Sequence, residues 1–520
     1  MGSFISRTPL LGLAQRVLDA AMQPEIIDND KHFAATSRRG FLQQTILGGS
    51  ALALGPWLSR FGQRGAADTP TVAIIGAGMA GISAAWYLKN AGINATIYEA
   101  SGRVGGRINS ANGLMGEGLI TELGAEFVDT THTDLHTIIK HYGLELLDTI
   151  TPEESALETT YYFMNRRYSF SELVAEMRPY AKQMRRDVRS LPKNISYLTP
   201  EASALDKLSL SAYLDTLGMS GVPRQLLELA NVSEYGANAD DQTCLNMLAF
   251  LSVKRNGKFA MMSDSDERYK VKGGNVQMCE RMAASLGDQI KFNCPLSAVS
   301  RRGDGGFSLV FDERSGIKEQ RPDFVIMAIP FTILRRLDLK KANLPAWKTD
   351  IINELGYGRN AKFFFGFKER FWRAAGQSGF SASNTGLIST WDNTQCQPGK
   401  QGSLTVFTGG KYSDEVLHSV MHEGPAPTLA KIAKLFPGAE AQYNDITSKF
   451  FWPDFAYSKA SYSSYKPGQW TTFGGREQEP IDQKMFFAGE HCSLEHQGFM
   501  NGAAQTGRQA AEGILALVGK

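Results

Sequence analysis

The chain has 520 residues, 42% of them hydrophobic and 21% charged, and a formal net charge of +2. Its length exceeds the roughly 250 to 300 residues at which a single core stops growing, which predicts two domains. The small net charge excludes the field of a nucleic-acid-binding or membrane-surface protein. Five cysteines without a CxxC pair predict neither a zinc site nor a disulfide framework.

A leader is predicted over residues 1–67. Within it, "SRRGFLQQTILGGSALALG" (residues 37–55) places Arg38 and Arg39 before an apolar run shorter than the about 20 residues that span a bilayer. The pair resembles a twin-arginine export motif, which implies contact with that export machinery and a periplasmic or secreted location. An amphipathic core helix is the alternative, and the 36 residues ahead of the motif are long for a signal and not clearly basic.

A dinucleotide-binding unit is predicted over residues 71–100. Its pattern predicts, in order, a strand, a helix and a second strand: Val72–Ile75, Met79–Asn90 and Ala95–Tyr98. Gly76, Gly78 and Gly81 fit GxGxxG, which provides a tight turn, room for a pyrophosphate and close packing of helix on strand. Glu99 follows at a position where a carboxylate accepts hydrogen bonds from a ribose. This unit alone is compatible with either NAD or FAD.

A second group of glycines follows in "SGRVGGRINS" (residues 101–110) and "ELGAEFV" (residues 122–128). Glycines here allow the backbone to approach a cofactor closely, and the guanidinium of Arg107 can bind phosphate oxygens. These motifs resemble the flavin amine oxidase family, which includes monoamine oxidases, polyamine oxidases and L-amino acid oxidases. The resemblance selects FAD and adds four cofactor-binding residues: Gly105, Gly106, Arg107 and Gly124.

The resemblance continues to Val518 through five further segments: 269–278, 325–334, 359–372, 451–468 and 484–515. It implies that Lys362, Tyr462 and Phe499 are catalytic, with Lys362 holding a water near the flavin and the two rings flanking the amine. It also implies further cofactor-binding residues: Val299, Trp452, Gly489, Glu490 and Met500. Family members that bind FAD covalently use a cysteine where this chain has Ser461, so non-covalent FAD is predicted.

Simpler interpretations exist for several of these residues. A lysine in an alternating apolar strand is commonly a solvated edge charge, and aromatic residues are commonly plain core. The surrounding motifs favour the functional interpretation in both cases. His491 and His496 invite a metal site, but no carboxylate or third histidine is arranged nearby, so we interpret them as loop residues and predict no metal.

The predicted fold class is α/β, with a Rossmann-type FAD-binding domain interleaved with an α+β substrate-binding domain. The FAD-binding domain is assigned to three segments: 71–145, 266–331 and 448–518. The substrate-binding domain is assigned to the segments between them: 146–265 and 332–447. Residues 150–260 are predicted to be mostly helical.

The predicted function is an FAD-dependent oxidase that deaminates a primary amine or an L-amino acid, with O2 as acceptor and H2O2 and ammonia as products. Some family members place an arginine just after the glycine corresponding to Gly124, whereas this chain has Glu126. This favours an amine without a carboxylate, and both substrate classes stay open. The alternatives are a flavin dehydrogenase or desaturase with another acceptor, and a non-catalytic flavoprotein. No nucleic-acid partner is predicted, and a homodimer is compatible with the sequence.

Overall fold

Strand β1 (Val72–Ile75) is buried at all four positions and lies at the centre of a five-stranded sheet. The computed structural model describes residues 9–22, 70–192, 194–249, 251–253, 259–261 and 265–520, and its elements are numbered in chain order. The other strands of this sheet are β2 (Ala95–Tyr98), β11 (Ile290–Lys291), β15 (Phe324–Met327) and β22 (Met485–Phe487). They pair in the order β11–β2–β1–β15–β22, always in parallel, so the loops that follow them meet at one edge.

Two long helices, α2 (Met79–Asn90) and α18 (Met500–Val518), pack against each other and against strands of this sheet. Two more helices, α3 (Thr133–His141) and α10 (Val276–Leu286), pack on α18 and α2 respectively. The predicted bounds of β1, α2 and β2 are confirmed. The parallel sheet and these helices share one hydrophobic core.

A four-stranded sheet belongs to this half of the molecule, and its pairing shows that one predicted domain boundary lies too early in the chain. Its strands are β12 (Leu296–Arg301), β13 (Phe307–Glu313), β14 (Gly316–Gln320) and β16 (Asp338–Lys341). Their order is β14–β13–β12–β16, and β16 pairs with β12 in parallel. The predicted boundary at residue 331 is therefore too early, because the backbone pairing keeps the chain in this half until residue 341.

The other half is built on a seven-stranded sheet. Its strands are β6 (Glu158–Phe163), β7 (Arg166–Tyr168), β17 (Ala361–Phe367), β18 (Gln377–Ser383), β19 (Ile388–Asp392), β20 (Gly402–Thr408) and β21 (Tyr443–Phe451). They pair in the order β21–β17–β20–β19–β18–β6–β7. The strands β17, β19 and β20 are buried along their whole length. Because β21 pairs with β17 as far as Phe451, the predicted boundary at residue 448 falls inside a strand.

The described regular structure of residues 150–260 is mostly helical, as predicted, apart from the β6–β7 hairpin and the short strands β8 (Leu251–Val253) and β9 (Phe259–Met261). The helices of this region are α4 (Pro152–Ser155), α5 (Phe170–Ser190), α6 (Ser203–Asp206), α7 (Leu210–Thr216), α8 (Gly221–Tyr235) and α9 (Leu245–Leu248). The later short helices are α11 (Phe331–Leu334), α12 (Ala346–Glu354), α13 (Phe371–Ala374), α14 (Gly410–His422), α15 (Ala426–Leu435), α16 (Ala439–Gln442) and α17 (Trp470–Phe473). Three two-stranded pairs complete the fold: β3 (Ser110–Asn112) with β4 (Ile120–Glu122), β5 (Leu146–Asp148) with β10 (Tyr269–Val271), and β8 with β9.

Helix α1 (Pro9–Met22) lies within the predicted leader, yet it packs into the half that contains the seven-stranded sheet. Its apolar face, which includes Leu10, Leu13 and Val17, is fully buried, and the helix contacts α5 and α8. The predicted leader is therefore not one uniform segment, because part of it forms core. The twin arginines lie outside the described residues, so export stays a prediction. Among the helices in the described ranges, none is long and apolar enough to cross a membrane.

We expect Leu13→Ala to destabilise the protein by about 3 kcal/mol, because the substitution leaves a cavity in a closed core. The matched control is Arg16→Ala, at an exposed position on the same helix, which should cost less than half as much. Urea unfolding of the purified holoprotein measures both. Equal and small effects would show that α1 does not contribute to the core.

Candidate functional site

The loop after β1 forms one wall of a cavity. Gly76 and Gly78 line this wall, and the backbone N–H of Ala77 donates a hydrogen bond of 2.7 Å to Oε2 of Glu99. Oε1 of Glu99 accepts hydrogen bonds from the backbone N–H and the hydroxyl of Ser101, at 2.8 and 2.7 Å. Glu99, at the end of β2, therefore fixes both loops where they border the cavity.

The N-terminus of α2 faces the same cavity. Its N-cap is Gly78, which provides no side-chain cap, and Met79 and Ala80 line the wall. An uncapped helix N-terminus favours an anionic group such as a phosphate. Gly81 lies behind the wall, where a Cβ would come within 2.0 Å of the carbonyl oxygen of Gly76. Only glycine at this position lets α2 pack so closely on the loop.

A second wall carries the other predicted glycines. Gly105, Gly106, Arg107 and Gly124 all line the cavity, together with Trp452. A Cβ on Gly124 would lie 1.9 Å from the carbonyl oxygen of Arg107 and 2.8 Å from the ring of Trp452. A larger residue at this position would therefore force the two segments of the wall apart.

Glu490 connects three segments of the wall. Its carboxylate accepts hydrogen bonds from Nη1 of Arg107 at 2.7 Å, from the hydroxyl of Ser463 at 2.8 Å and from the backbone N–H of Gly498 at 2.9 Å. The backbone N–H of Ser463 donates a fourth at 3.2 Å. Burial alone would raise the pKa of Glu490, but the charge of Arg107 together with the hydrogen bonds from Arg107 and Ser463 lowers the pKa below its usual value. Glu490 is therefore ionised.

Helix α18 begins beside Glu490. Its N-cap, Phe499, provides no side-chain cap, and Phe499, Met500 and Gly489 line the cavity. A second helix N-terminus thus presents its partial positive charge to the same space.

Val299 is a predicted cofactor residue that, like Gly81, does not line the cavity. It pairs with Leu309 in β12–β13 and is 1% exposed in the hydrophobic core. The cavity wall in this region is formed by Pro295 and Leu296. The pairing of β12 with β13 shifts by one residue between Leu296 and Ala298. The rule that alternate residues of a strand share one side of the sheet does not apply across this shift.

The cavity has a volume of about 400 Å³ and is lined by residues of both halves. The part of the cavity lined by glycines has open space beside Gly78. A Cβ added to Gly78 would lie 4.0 Å from its nearest neighbour, Cα of Gly106, so this space is left free by the protein and fits FAD. A pyrophosphate can occupy this space between the glycines and the start of α2. Glu99 and Glu490 provide acceptors for hydroxyl groups.

Another wall of the cavity is aromatic. Tyr462 and Phe499 both line the cavity, and so do Phe127, Trp391 and Phe407. The ring centroids of Trp391 and Phe407 are 5.3 Å apart, and those of Phe127 and Trp391 are 6.2 Å apart. Sequence reasoning missed these last three rings. Phe407 lies directly opposite Lys362 in the β17–β20 pairing. This neighbour of Lys362 can be identified only when the register of the two strands is known.

Lys362 reaches the cavity wall from β17 and is 5% exposed. Its ammonium donates three hydrogen bonds: to the carbonyl oxygens of Glu122 at 3.0 Å and Gly124 at 2.8 Å, and to Oε2 of Glu126 at 2.6 Å. All three of its protons are therefore engaged by the protein. The predicted role of holding a water requires one of these bonds to open, so the contacts favour a direct electrostatic role for Lys362.

Glu126 lies between two lysines. Its Oε1 accepts hydrogen bonds from Nζ of Lys270 at 2.6 Å and from Nε1 of Trp391 at 3.1 Å, while Lys362 binds Oε2. Burial alone would raise the pKa of Glu126, but the two ammonium groups lower it to about 2. The carboxylate is therefore ionised at neutral pH.

The two histidines of the last loop are buried and contact aromatic rings. The ring of His491 is 4.4 Å from that of Phe331, and burial lowers the pKa of His491 to about 4. The ring of His496 is 5.6 Å from that of His132. Searching only the described residues, we find no group of three potential metal ligands.

The sequence profile of the family described as flavin containing amine oxidoreductase matches residues 79–515. The chain belongs to this family. Membership indicates FAD as the cofactor, in agreement with the glycine-lined part of the cavity.

Several vertebrate relatives match most of the chain. The flavin-containing amine oxidase of Danio rerio is 26% identical over 471 residues, which are 87% of each chain. Flavin-containing amine oxidase A of Sus scrofa is 26% identical over 86% of this chain and 85% of its own. Flavin-containing amine oxidase B of Homo sapiens is 24% identical over 86% of both.

Solved structures with the same fold include a putrescine oxidase bound to putrescine, with a TM-score of 0.73 and 23% identity over 86% of this chain and 99% of its own. A cyclohexylamine oxidase from Brevibacterium oxydans superposes with a TM-score of 0.75 and 22% identity, over 87% of this chain and 100% of its own. The predicted α/β fold class is confirmed.

For this family member we expect Tyr462→Ala to lower kcat/KM for an amine by more than about tenfold, because the ring shapes the aromatic wall. Tyr462→Phe is the matched control; it keeps the ring, removes a 3.4 Å hydrogen bond to the carbonyl of Ser233 and should stay near wild type. Thermal melting should change little in both variants. A large loss of stability in Tyr462→Ala, with normal kinetics of the folded fraction, would mean that Tyr462 is a core residue.

Proposed function

We propose that the protein is an FAD-dependent oxidase that converts a primary amine to an imine, with O2 as electron acceptor and H2O2 as product. Hydrolysis of the imine then gives an aldehyde and ammonia. The observation that carries the proposal is one cavity that joins the glycine-lined loops to an aromatic wall beside the buried Lys362 ammonium. When bound, FAD supplies the redox chemistry by accepting a hydride from the carbon next to the nitrogen.

The protein residues prepare the substrate for this step. The aromatic wall of Tyr462, Phe499, Trp391 and Phe407 excludes water and favours the neutral amine, the form that can lose a hydride. The ammonium of Lys362 and the start of α18 both place positive charge at the wall. Positive charge there stabilises the negative charge that the cofactor gains on reduction.

The contacts of the cations favour an amine without a carboxylate over an L-amino acid. A substrate carboxylate needs free donors from a cation at the binding site. Among the described cations of the cavity wall, Lys362 has all three protons engaged, and Nη1 of Arg107 donates to Glu490 and to the carbonyl of Ser461. Arg103 is likewise bound to backbone carbonyls. Arg336 also lines the wall but is exposed, on the segment that contributes Ile333 and Leu337.

A panel of primary amines and L-amino acids tests the proposal through the release of H2O2 in air. We expect release with at least one primary amine and none with the corresponding α-amino acid. Amino-acid turnover alone would overturn the substrate assignment. Substrate-dependent reduction of the flavin without peroxide would instead indicate a dehydrogenase or desaturase. If no compound of the panel reduced the flavin, the protein would be a non-catalytic flavoprotein.

We propose further that FAD is held without a covalent bond. Ser461 occupies the position of the linking cysteine, and its hydroxyl donates to Oδ1 of Asn360 at 2.6 Å. A serine hydroxyl is a far weaker nucleophile than a thiolate and has no comparable route to a flavin adduct. Acid precipitation should therefore leave the yellow colour in the supernatant. Colour in the pellet, with a flavin-sized mass increment on a peptide, would contradict this.

A further inference from the structure

Lys270 is a second buried lysine at the active site, and the proposed chemistry does not use it. It lies on β10, is 5% exposed, and binds Glu126 on the side opposite Lys362. Its ammonium is also 4.9 Å from the ring centroid of Phe127, which lines the cavity. Lys270 itself does not line the cavity, so any effect on the reaction has to act through Glu126 and Lys362.

The three side chains in direct contact do not balance in charge. Lys362 and Lys270 carry two positive charges, and Glu126 carries one negative charge, so one positive charge remains uncompensated. A buried carboxylate that only had to neutralise Lys362 would need no second lysine. Fully buried charges without a partner are costly, which makes a net charge at this position unusual for a purely structural cluster.

The neighbouring acids have hydrogen-bond donors of their own. Glu122 accepts from the hydroxyl of Ser110 at 2.7 Å and from the backbone N–H of Asn275 at 2.7 Å. Asp392 accepts from the backbone N–H and the hydroxyl of Thr394, at 2.8 and 2.7 Å. Burial raises the pKa of Glu122 to about 7 and also raises the pKa of Asp392. Among the described hydrogen bonds and ion pairs, the ammonium of Lys270 binds only Glu126, so neither of these acids pairs with it directly.

We propose that Lys270 is a positioning residue which, through Glu126, fixes the ammonium of Lys362 and maintains a net positive charge beside the redox centre. Glu126 neutralises one lysine, and the other lysine leaves the cluster positive. This charge favours the reduced cofactor, which is negatively charged, over the oxidised one. The inference rests on the proposed function for the redox role of the site.

The test is the reduction potential of the bound FAD, measured by reductive titration without any amine. Lys270→Gln keeps a hydrogen-bond donor for Glu126 but removes the charge, and Lys270→Met removes both. We expect both variants to shift the potential to more negative values, by about 30 mV for a tenfold weaker preference for the reduced cofactor. We expect Lys270→Arg to restore the wild-type potential, because it restores the charge.

Lys348→Met is the matched control, since Lys348 is also a fully buried lysine but donates to the backbone carbonyls of Arg476 and Glu477, away from the cavity. It should lose stability without a change in potential. A wild-type potential in Lys270→Gln with full FAD content would overturn the inference, and so would a shift that Lys270→Arg fails to reverse. Because no amine is used, this outcome is separable from a failure of the proposed oxidase activity, which the peroxide panel measures.

Discussion

Lys362→Met is expected to slow turnover of an amine by about 10²-fold while the protein keeps its fold and its FAD. The substitution removes a buried positive charge that lines the same cavity as the aromatic wall. Glu126 retains Lys270 and Trp391 as partners at 2.6 and 3.1 Å, so it is not left as an unpaired buried charge. The loss should therefore appear in the rate rather than in stability.

Steady-state kinetics with the best amine of the panel, normalised to FAD content, measures this effect. The matched control is Lys368→Met, which replaces an exposed lysine just beyond the end of β17. It should retain wild-type turnover. Activity of Lys362→Met within about twofold of wild type, with intact FAD, would make the lysine a structural residue only.

Glu490→Ala is expected to abolish stable FAD binding, with a loss of affinity of at least about 10²-fold from the removal of a charged acceptor. Arg107 loses its carboxylate partner, and three further donors, from Ser463 and Gly498, lose theirs. Since these donors belong to three separate segments of the wall, the space that surrounds the cofactor loses its shape.

FAD content of the purified protein, followed by titration of the apoprotein with FAD, measures this loss. Glu495→Ala is the control in the same loop, because the Glu495 carboxylate binds only the exposed amide of Gln505 among the described hydrogen bonds. It should bind FAD normally. Glu490→Gln should fall between the two, because it keeps an acceptor without the charge. Normal FAD content in Glu490→Ala would refute the role assigned to this carboxylate.

Local signals in the sequence predicted the cofactor-binding half well. The bounds of β1, α2 and β2 follow from an apolar run, a glycine turn and a helical period within 30 residues, and no distant contact is needed to recognise them. Glu490, which the family resemblance implied, lies three residues after the buried strand β22. Each of these features is encoded by residues close together in the chain.

The missed features depend on distant pairings. Lys270 and Glu126 are 144 positions apart, and only the folded chain brings them within hydrogen-bond distance. Phe407 and Trp391 face the cavity because of the register of a seven-stranded sheet, and a shift of one residue would turn each to the other face. Val299, which the family resemblance implied as a cofactor residue, is buried in the core and does not line the cavity, and the pairing of β12 shifts just before it.

The measurement that tests the account most directly is anaerobic mixing of the holoenzyme with a primary amine, followed by admission of O2. The account predicts that the amine bleaches the visible absorbance of FAD, and that O2 restores the colour with one H2O2 formed per FAD. A cofactor that dithionite bleaches but no amine or amino acid of the panel reduces would contradict the account.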